Sequence, residues 1–274
     1  MSNASVPEAG KPNPGLRQLT LRFDGKCLRC GKSLLKGTQA LYDFSIHRPQ
    51  CIACDSRDDP GIAGGSAERE FQRRKAKQAA VNRTLGKILG DLVPANQELP
   101  QTTLAWERGA IGERRLAEAL KDVRDSRLLH DRRLPNTKAN VDHIVVAPAG
   151  VFVVDAKLHK GLIEIRDVGQ FHRDMRLYVR GRDRSWLAEQ LLWQVASIQR
   201  LLSQAGRNRS LTLVPVVCFV DGTWKRPLVP PVLYQGVWFT DSGSIAWFMS
   251  GKPVLDAQII DEIHHELAIA LPSR

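Results

Sequence analysis

The chain has 274 residues, of which 43% are hydrophobic, enough to bury the core of one or two globular domains. Its 40 Lys and Arg against 29 Asp and Glu give a formal net charge of +11, a balance that favours a polyanionic partner such as nucleic acid. No run approaches the ~20 apolar residues of a membrane span and the N-terminus lacks an apolar signal core, so a soluble, cytoplasmic protein with no membrane partner is expected.

Residues 1–19 are rich in Pro, Gly, Ser and Asn and carry too little apolar surface to fold, which predicts a disordered arm. A small module follows over residues 20–60. Cys27 and Cys30 form one C-x-x-C pair, 20 residues intervene, and Cys51 and Cys54 form a second. Each pair can turn two thiolates toward one ion, and two pairs complete the tetrahedral set that structural Zn²⁺ prefers. Four sulfurs close the coordination sphere and leave no position for a reacting water, so the site would be structural. No thioredoxin-like βαβ pattern surrounds either pair, which argues against redox chemistry. Thr38 to Phe44, between the two pairs, reads as a short β-hairpin.

Residues 61–99 form a linker and a basic helix. Gly- and Pro-rich at its start, this stretch becomes helix-prone from Ala67 to about Leu92, with Arg69, Arg73, Arg74, Lys75, Lys77, Arg83 and Lys87. Such a helix can lie along a phosphate backbone or serve as a solvated connector.

The second domain spans residues 100–272 and reads as α/β. A helix is predicted from Trp106 to Val123, with Leu116, Leu120 and Val123 on its buried stripe and Glu113 at the stripe's edge, pointing inward. A carboxylate in that position must be paired, hydrogen-bonded or bound to metal. Ser126 to Leu134 reads as a strand. Asn140 to Gly161 reads as a β-hairpin, two runs rich in Val and Ile around Pro148-Ala149-Gly150. With Pro148-Ala149 as a two-residue turn, Asp142 faces Asp155 across the hairpin, at a Cβ separation of roughly 5 Å where like charges destabilise the sheet. Alternation puts Lys157 on the face of Asp155.

Leu162 to Arg166 and Gln170 to Val179 are strand-like. Ser185 to Gln204 is a helix with Leu187, Leu191, Val195, Ile198 and Leu202 on one face, Gln194 within that face and Gln190 near its edge. Leu211 to Val220 is apolar almost throughout, as in a central strand covered on both faces, and Cys218 within it reads as an inert buried residue. A strand at Val237 to Thr240 and helices near Ser242 to Met249 and Val254 to Ala270 complete the pattern.

Glu113, Asp142, Asp155 and Lys157 together are the parts needed to hydrolyse a phosphodiester with a divalent metal. Carboxylate oxygens suit Mg²⁺ or Mn²⁺, which activate an attacking water, and a lysine can orient that water or stabilise charge on the transferring group. The order G-x-x-G-E-R at Gly109 to Arg114, V-D-H-I-V-V at Val141 to Val146 and G-V-F-V-V-D-A-K at Gly150 to Lys157 resembles the nuclease-related domain (NERD) family of the restriction-endonuclease-like PD-(D/E)XK superfamily. The likeness runs from about Trp106 to Leu202 and leaves the cysteine module outside it.

The resemblance implies a mixed central sheet flanked by helices. It implies Asp142 and Asp155 as metal-binding acids, Lys157 as the motif lysine, Glu113 as the acid of the first helix, and one of Gln190 and Gln194 as the later site glutamine. Val141 stands where the superfamily usually has proline. The function implied is a Mg²⁺-dependent nuclease acting on nucleic acid, DNA foremost. The alternative is a catalytically inactive scaffold that binds nucleic acid or protein.

Overall fold

The computed structural model describes residues 16–27, 33–44, 47–52, 59–89, 98–204 and 211–273. The chain divides into two units, Met1–Asp58 and Asp59–Arg274.

In the first unit β1 (Leu16–Thr20), β2 (Gly25–Lys26), β3 (Ser33–Leu34), β4 (Gln39–Asp43) and β5 (Arg48–Cys51) form two small sheets, β1-β4-β5 and β2-β3, antiparallel throughout. Two sequence expectations change here. The last residues of the expected arm are ordered, because Leu16 to Thr20 pair with Asp43 to Gln39. Thr38 to Phe44 is not a hairpin: β4 is one strand, its partners supplied by β1 and β5 on either side. Leu21, Cys27, Leu34, Ala40 and Cys51 make the small core. The Cys51 N–H donates to Cys27 Sγ at 3.2 Å, so one cysteine of each C-x-x-C pair meets the other, while Cys30 and Cys54 lie outside the described residues.

The second unit opens with α1 (Gly65–Leu89) and α2 (Gln101–Leu120). Then come β6 (Arg127–Arg133), β7 (Asn140–Ala147), β8 (Gly150–Lys157), β9 (Gly161–Asp167), β10 (Met175–Val179) and β11 (Arg182–Asp183). The chain continues with α3 (Trp186–Gln204), β12 (Leu213–Phe219), β13 (Gly222–Trp224), β14 (Val232–Tyr234), β15 (Val237–Asp241), α4 (Ile245–Met249) and α5 (Ala257–Ala270).

The main sheet has the order β14-β15-β12-β8-β7-β6 and is mixed: β12 runs parallel to β8 and β15, whereas β6, β7 and β8 form an antiparallel meander. A smaller sheet, β11-β10-β9-β13, stands beside it. The expected strand from Gln170 begins only at Met175, because the Asp167 carboxylate accepts the N–H groups of Gly169 and Asp174, each at 3.0 Å, and folds the intervening residues into a turn.

Alternation along the strands divides the core into two layers. Ile144, Val146, Val151, Val153 and Val217 pack with Leu187, Leu191 and Val195 of α3 and Ile260 and Ile263 of α5. Val145, Phe152, Val154, Val216 and Cys218 pack with Leu116 and Leu120 of α2 and Ile245 and Met249 of α4. By the same alternation Asp142, Asp155 and Lys157 belong to the α3 side, at the end of the sheet away from the β7–β8 turn. Helix α2 comes close on the other side: a Cβ at Gly112 would lie 2.9 Å from the Cβ of Leu158, just past the end of β8. On β6, opposite Val141, the fully buried guanidinium of Arg132 donates to the carbonyls of Leu271, Ala268 and Asp59 at 2.7, 3.1 and 3.1 Å.

Candidate active site

The β7–β8 ladder has the register that a Pro148-Ala149 turn implies, with pairs from Ala147↔Gly150 to His143↔Val154. It stops one step short of Asp142 and Asp155. There a side chain takes over from the backbone, and the Ala156 N–H donates to Asp142 Oδ2 at 2.9 Å. Next to it Lys157 Nζ donates to Asp155 Oδ1 at 2.8 Å and stands 2.6 Å from Oδ2. The Asp155 and Lys157 side chains keep 11% and 20% exposure.

Glu113, from the second turn of the buried stretch of α2, is also buried, and its Oε2 accepts the Gly64 N–H at 3.0 Å. Electrostatics tie it to the hairpin. Burial first, then the charges of Asp142 and Asp131, push the Glu113 carboxyl up to about 9. Burial and the charge of Asp155 push Asp142 up to about 7, against the pull of Lys157 and the Ala156 N–H. Burial works against the Lys157 charge, yet Asp155 and Asp142 hold its pKa above the ordinary lysine value. Three carboxylates thus share one ammonium, and the corner carries more negative charge than the protein neutralises.

That excess, and the hard oxygen donors that create it, fit a divalent cation such as Mg²⁺. The acids are nevertheless engaged by protein donors, and among the described residues no group of three or more His, Cys, Asp or Glu is disposed to hold a metal ion. Raised carboxyl values are the signature of this arrangement: protons take part of the role that a cation would have.

The two glutamines separate. Gln194 is buried and its Nε2 donates to the Asn140 carbonyl at 3.4 Å, two residues before Asp142, whereas Gln190 is exposed. Helical phase put both near the same edge, and only the placement of α3 on the sheet distinguishes them.

Other residues around the corner were not singled out in the sequence. Asp131, held at a positive φ of 46°, accepts the Ser66 N–H at 2.6 Å and the Asn140 Nδ2 at 2.8 Å and pairs with Arg69 at 3.3 Å. It fixes the start of α1 beside β7. Of the basic residues of α1, Arg73 and Arg74 both bind Glu70, so part of that charge is spent within the helix. His143, which faces α2, lies opposite His130 with Nδ1 atoms 2.8 Å apart, and burial holds both imidazoles neutral, His130 at about 4. Sequence alternation marks His143 as inward but gives no hint of its partner.

A partly buried acid–acid–lysine corner at the open end of a hairpin, in a mixed sheet flanked by helices, is compatible with a nuclease-like fold. Residues 108–220 match the family model described as nuclease-related domain, NERD, a span that includes Glu113, Asp142, Asp155, Lys157, Gln190 and Gln194. The resemblance drawn from the sequence motifs is borne out over that span. No curated protein and no solved structure matches the chain. Among the described residues no helix is long and apolar enough to cross a membrane.

Proposed function

We propose that the second unit is a divalent-metal-dependent nuclease that hydrolyses phosphodiester bonds of nucleic acid, DNA foremost. The observation that supports this most directly is the meeting of Asp142, Asp155 and Lys157 at the open end of the β7–β8 hairpin. Asp142 and Asp155, with Glu113, would hold Mg²⁺ or Mn²⁺, which supplies Lewis acidity toward the phosphate and a more acidic water. Asp155 holds Lys157 in place, and the ammonium is then positioned to donate to the attacking water or to a phosphate oxygen. Gln194 and Asp131 steady the β7 end from two sides through Asn140. Because the metal needs ionised carboxylates, cleavage should rise with pH between about 7 and about 9, the values to which Asp142 and Glu113 are pushed.

Incubating the protein with DNA and RNA in Mg²⁺, Mn²⁺ or EDTA tests the reading. Metal-dependent cleavage that falls by at least about a hundredfold in Asp155→Ala is expected; cleavage undiminished in that variant, or none with any metal, overturns it. The engagement of all three acids by protein donors favours a second reading, a scaffold that binds nucleic acid without turnover, and the same assay separates the two.

For the first unit we propose a structural Zn²⁺ held by Cys27, Cys30, Cys51 and Cys54. The Cys51 N–H to Cys27 Sγ bond supports it, since an amide aimed at sulfur stabilises a thiolate. Metal analysis should return about one Zn²⁺ per chain.

A further inference from the structure

Two tryptophans on α3 stand about half in water. Trp186 and Trp193 are 48% and 46% exposed, seven residues apart and therefore on one stripe, with the exposed Gln190 between them. The stripe borders the edge of the helix that carries Gln194, whose amide reaches Asn140 at the start of β7. The residues just before the helix are basic: Arg180, Arg182 and Arg184. The stem of Arg180 crosses Gly161 at the start of β9, so closely that any side chain at 161 would collide with it at about the Cγ. Backbone bonds fix both outer arginines, Arg180 N–H to the Leu162 carbonyl at 2.9 Å and Arg184 N–H to the Leu177 carbonyl at 2.7 Å. Among the described residues, neither Arg180 nor Arg184 is in an ion pair.

We infer that this edge binds an unpaired strand of nucleic acid, with bases stacked on Trp186 and Trp193 and phosphates on Arg184 and Arg180, and that it leads the strand to Asp155 and Lys157. The inference rests on the nuclease reading and adds to it the form of the substrate. Charge complementarity picks the occupant. Indoles beside unpaired guanidiniums suit a flexible polyanion with exposed aromatic faces, whereas the paired bases of a duplex offer no face to stack. The arginines also stand within electrostatic reach of the corner: after burial and Lys157, Arg184 and then Arg180 oppose protonation of His159, which lies two residues beyond Lys157.

The test is a titration in EDTA, so that nothing is cut, of labelled oligothymidylate and of a duplex of equal length. Tighter binding of the single strand with quenching of tryptophan fluorescence is expected. Trp186→Ala and Trp193→Ala should each weaken it by about fivefold or more, and Arg184→Ala should lower the salt slope by about one. Trp247→Ala, an indole 74% exposed on α4 across the sheet, serves as control and should leave affinity unchanged. Unfolding curves should show every variant folded with at most a modest loss of stability, since about half of Trp186 and of Trp193 is in water. Equal affinity for the two substrates, no binding, or a Trp186→Ala/Trp193→Ala double variant with wild-type affinity overturns the inference. A protein that cleaves in Mg²⁺ but binds regardless of these tryptophans sinks the strand edge alone. One that binds through them but never cleaves sinks the nuclease reading alone.

Discussion

The two ends of the β7–β8 hairpin use one register for opposite purposes. Near the turn, Val146↔Val151 and Val145↔Phe152 are buried on both faces, and each added pair contributes packing without charge. At the open end the same register sets two aspartates against each other, the ladder ends, and Lys157 and the Ala156 N–H offset part of the repulsion. The closed end stabilises the fold, and its rigidity holds together groups that would otherwise move apart. Strain at one end of a ladder is tolerated because the other end is over-determined.

Substitutions at the two ends should therefore differ in sign. Ile144→Ala, at a fully buried position one step into the apolar half, is expected to destabilise the second unit by about 2–5 kcal/mol in urea unfolding. On α2, where Glu113 feels the charge of Asp142 at the open end, the sign reverses. Glu113 has its ordinary value of 4.5 raised to about 9 in the folded protein. The folded state then binds more protons than the unfolded one, so this group lowers stability progressively as pH rises through that window and fully only above it. Glu113→Gln retains an oxygen for the Gly64 N–H and should flatten the decline of stability between pH 5 and 9. If it melts like Ile144→Ala at pH 8, the contrast between the two ends fails.

A smaller effect sharpens the same point. Mg²⁺ should raise the Tm of the second unit more at pH 8 than at pH 6, because it competes with the protons on Asp142 and Glu113; calorimetry at both pH values checks this. The least effect is expected from the glutamines. Gln194→Ala should cost about 1 kcal/mol by leaving the Asn140 carbonyl without that donor, whereas Gln190→Ala should stay within about 0.5 kcal/mol on an exposed surface.

The hairpin was readable in the sequence because its information is local: a proline-containing turn fixes the register, and the register fixes the opposition of Asp142 and Asp155. Glu113 was readable as inward because helical phase over one turn is reliable. What bonds to it was not, since Gly64 lies 49 residues away and nothing in either stretch announces the other. His130 and His143 lie only 13 residues apart, but the link between β6 and β7 leaves the register of those strands open, so their meeting was hidden too. The basic edge at Arg180 and Arg184 reads as an ordinary charged loop until β9 brings Arg180 against Gly161. In the first unit β4 was mistaken for a hairpin because a central strand in a small sheet is too short to show an alternation distinct from two half-strands. Likewise β13 and β14, three residues each, carry too little pattern to register.

Arg132 gives the second unit a clasp. One guanidinium holds the carbonyl of Asp59, where the unit starts, and those of Ala268 and Leu271, where its last helix ends. Pulling on either terminus of the unit therefore loads the same buried cation, and a slackened C-terminal helix would free the segment that delivers Gly64 to Glu113. The tail of the chain and the chemistry at the open end of the hairpin are mechanically one circuit.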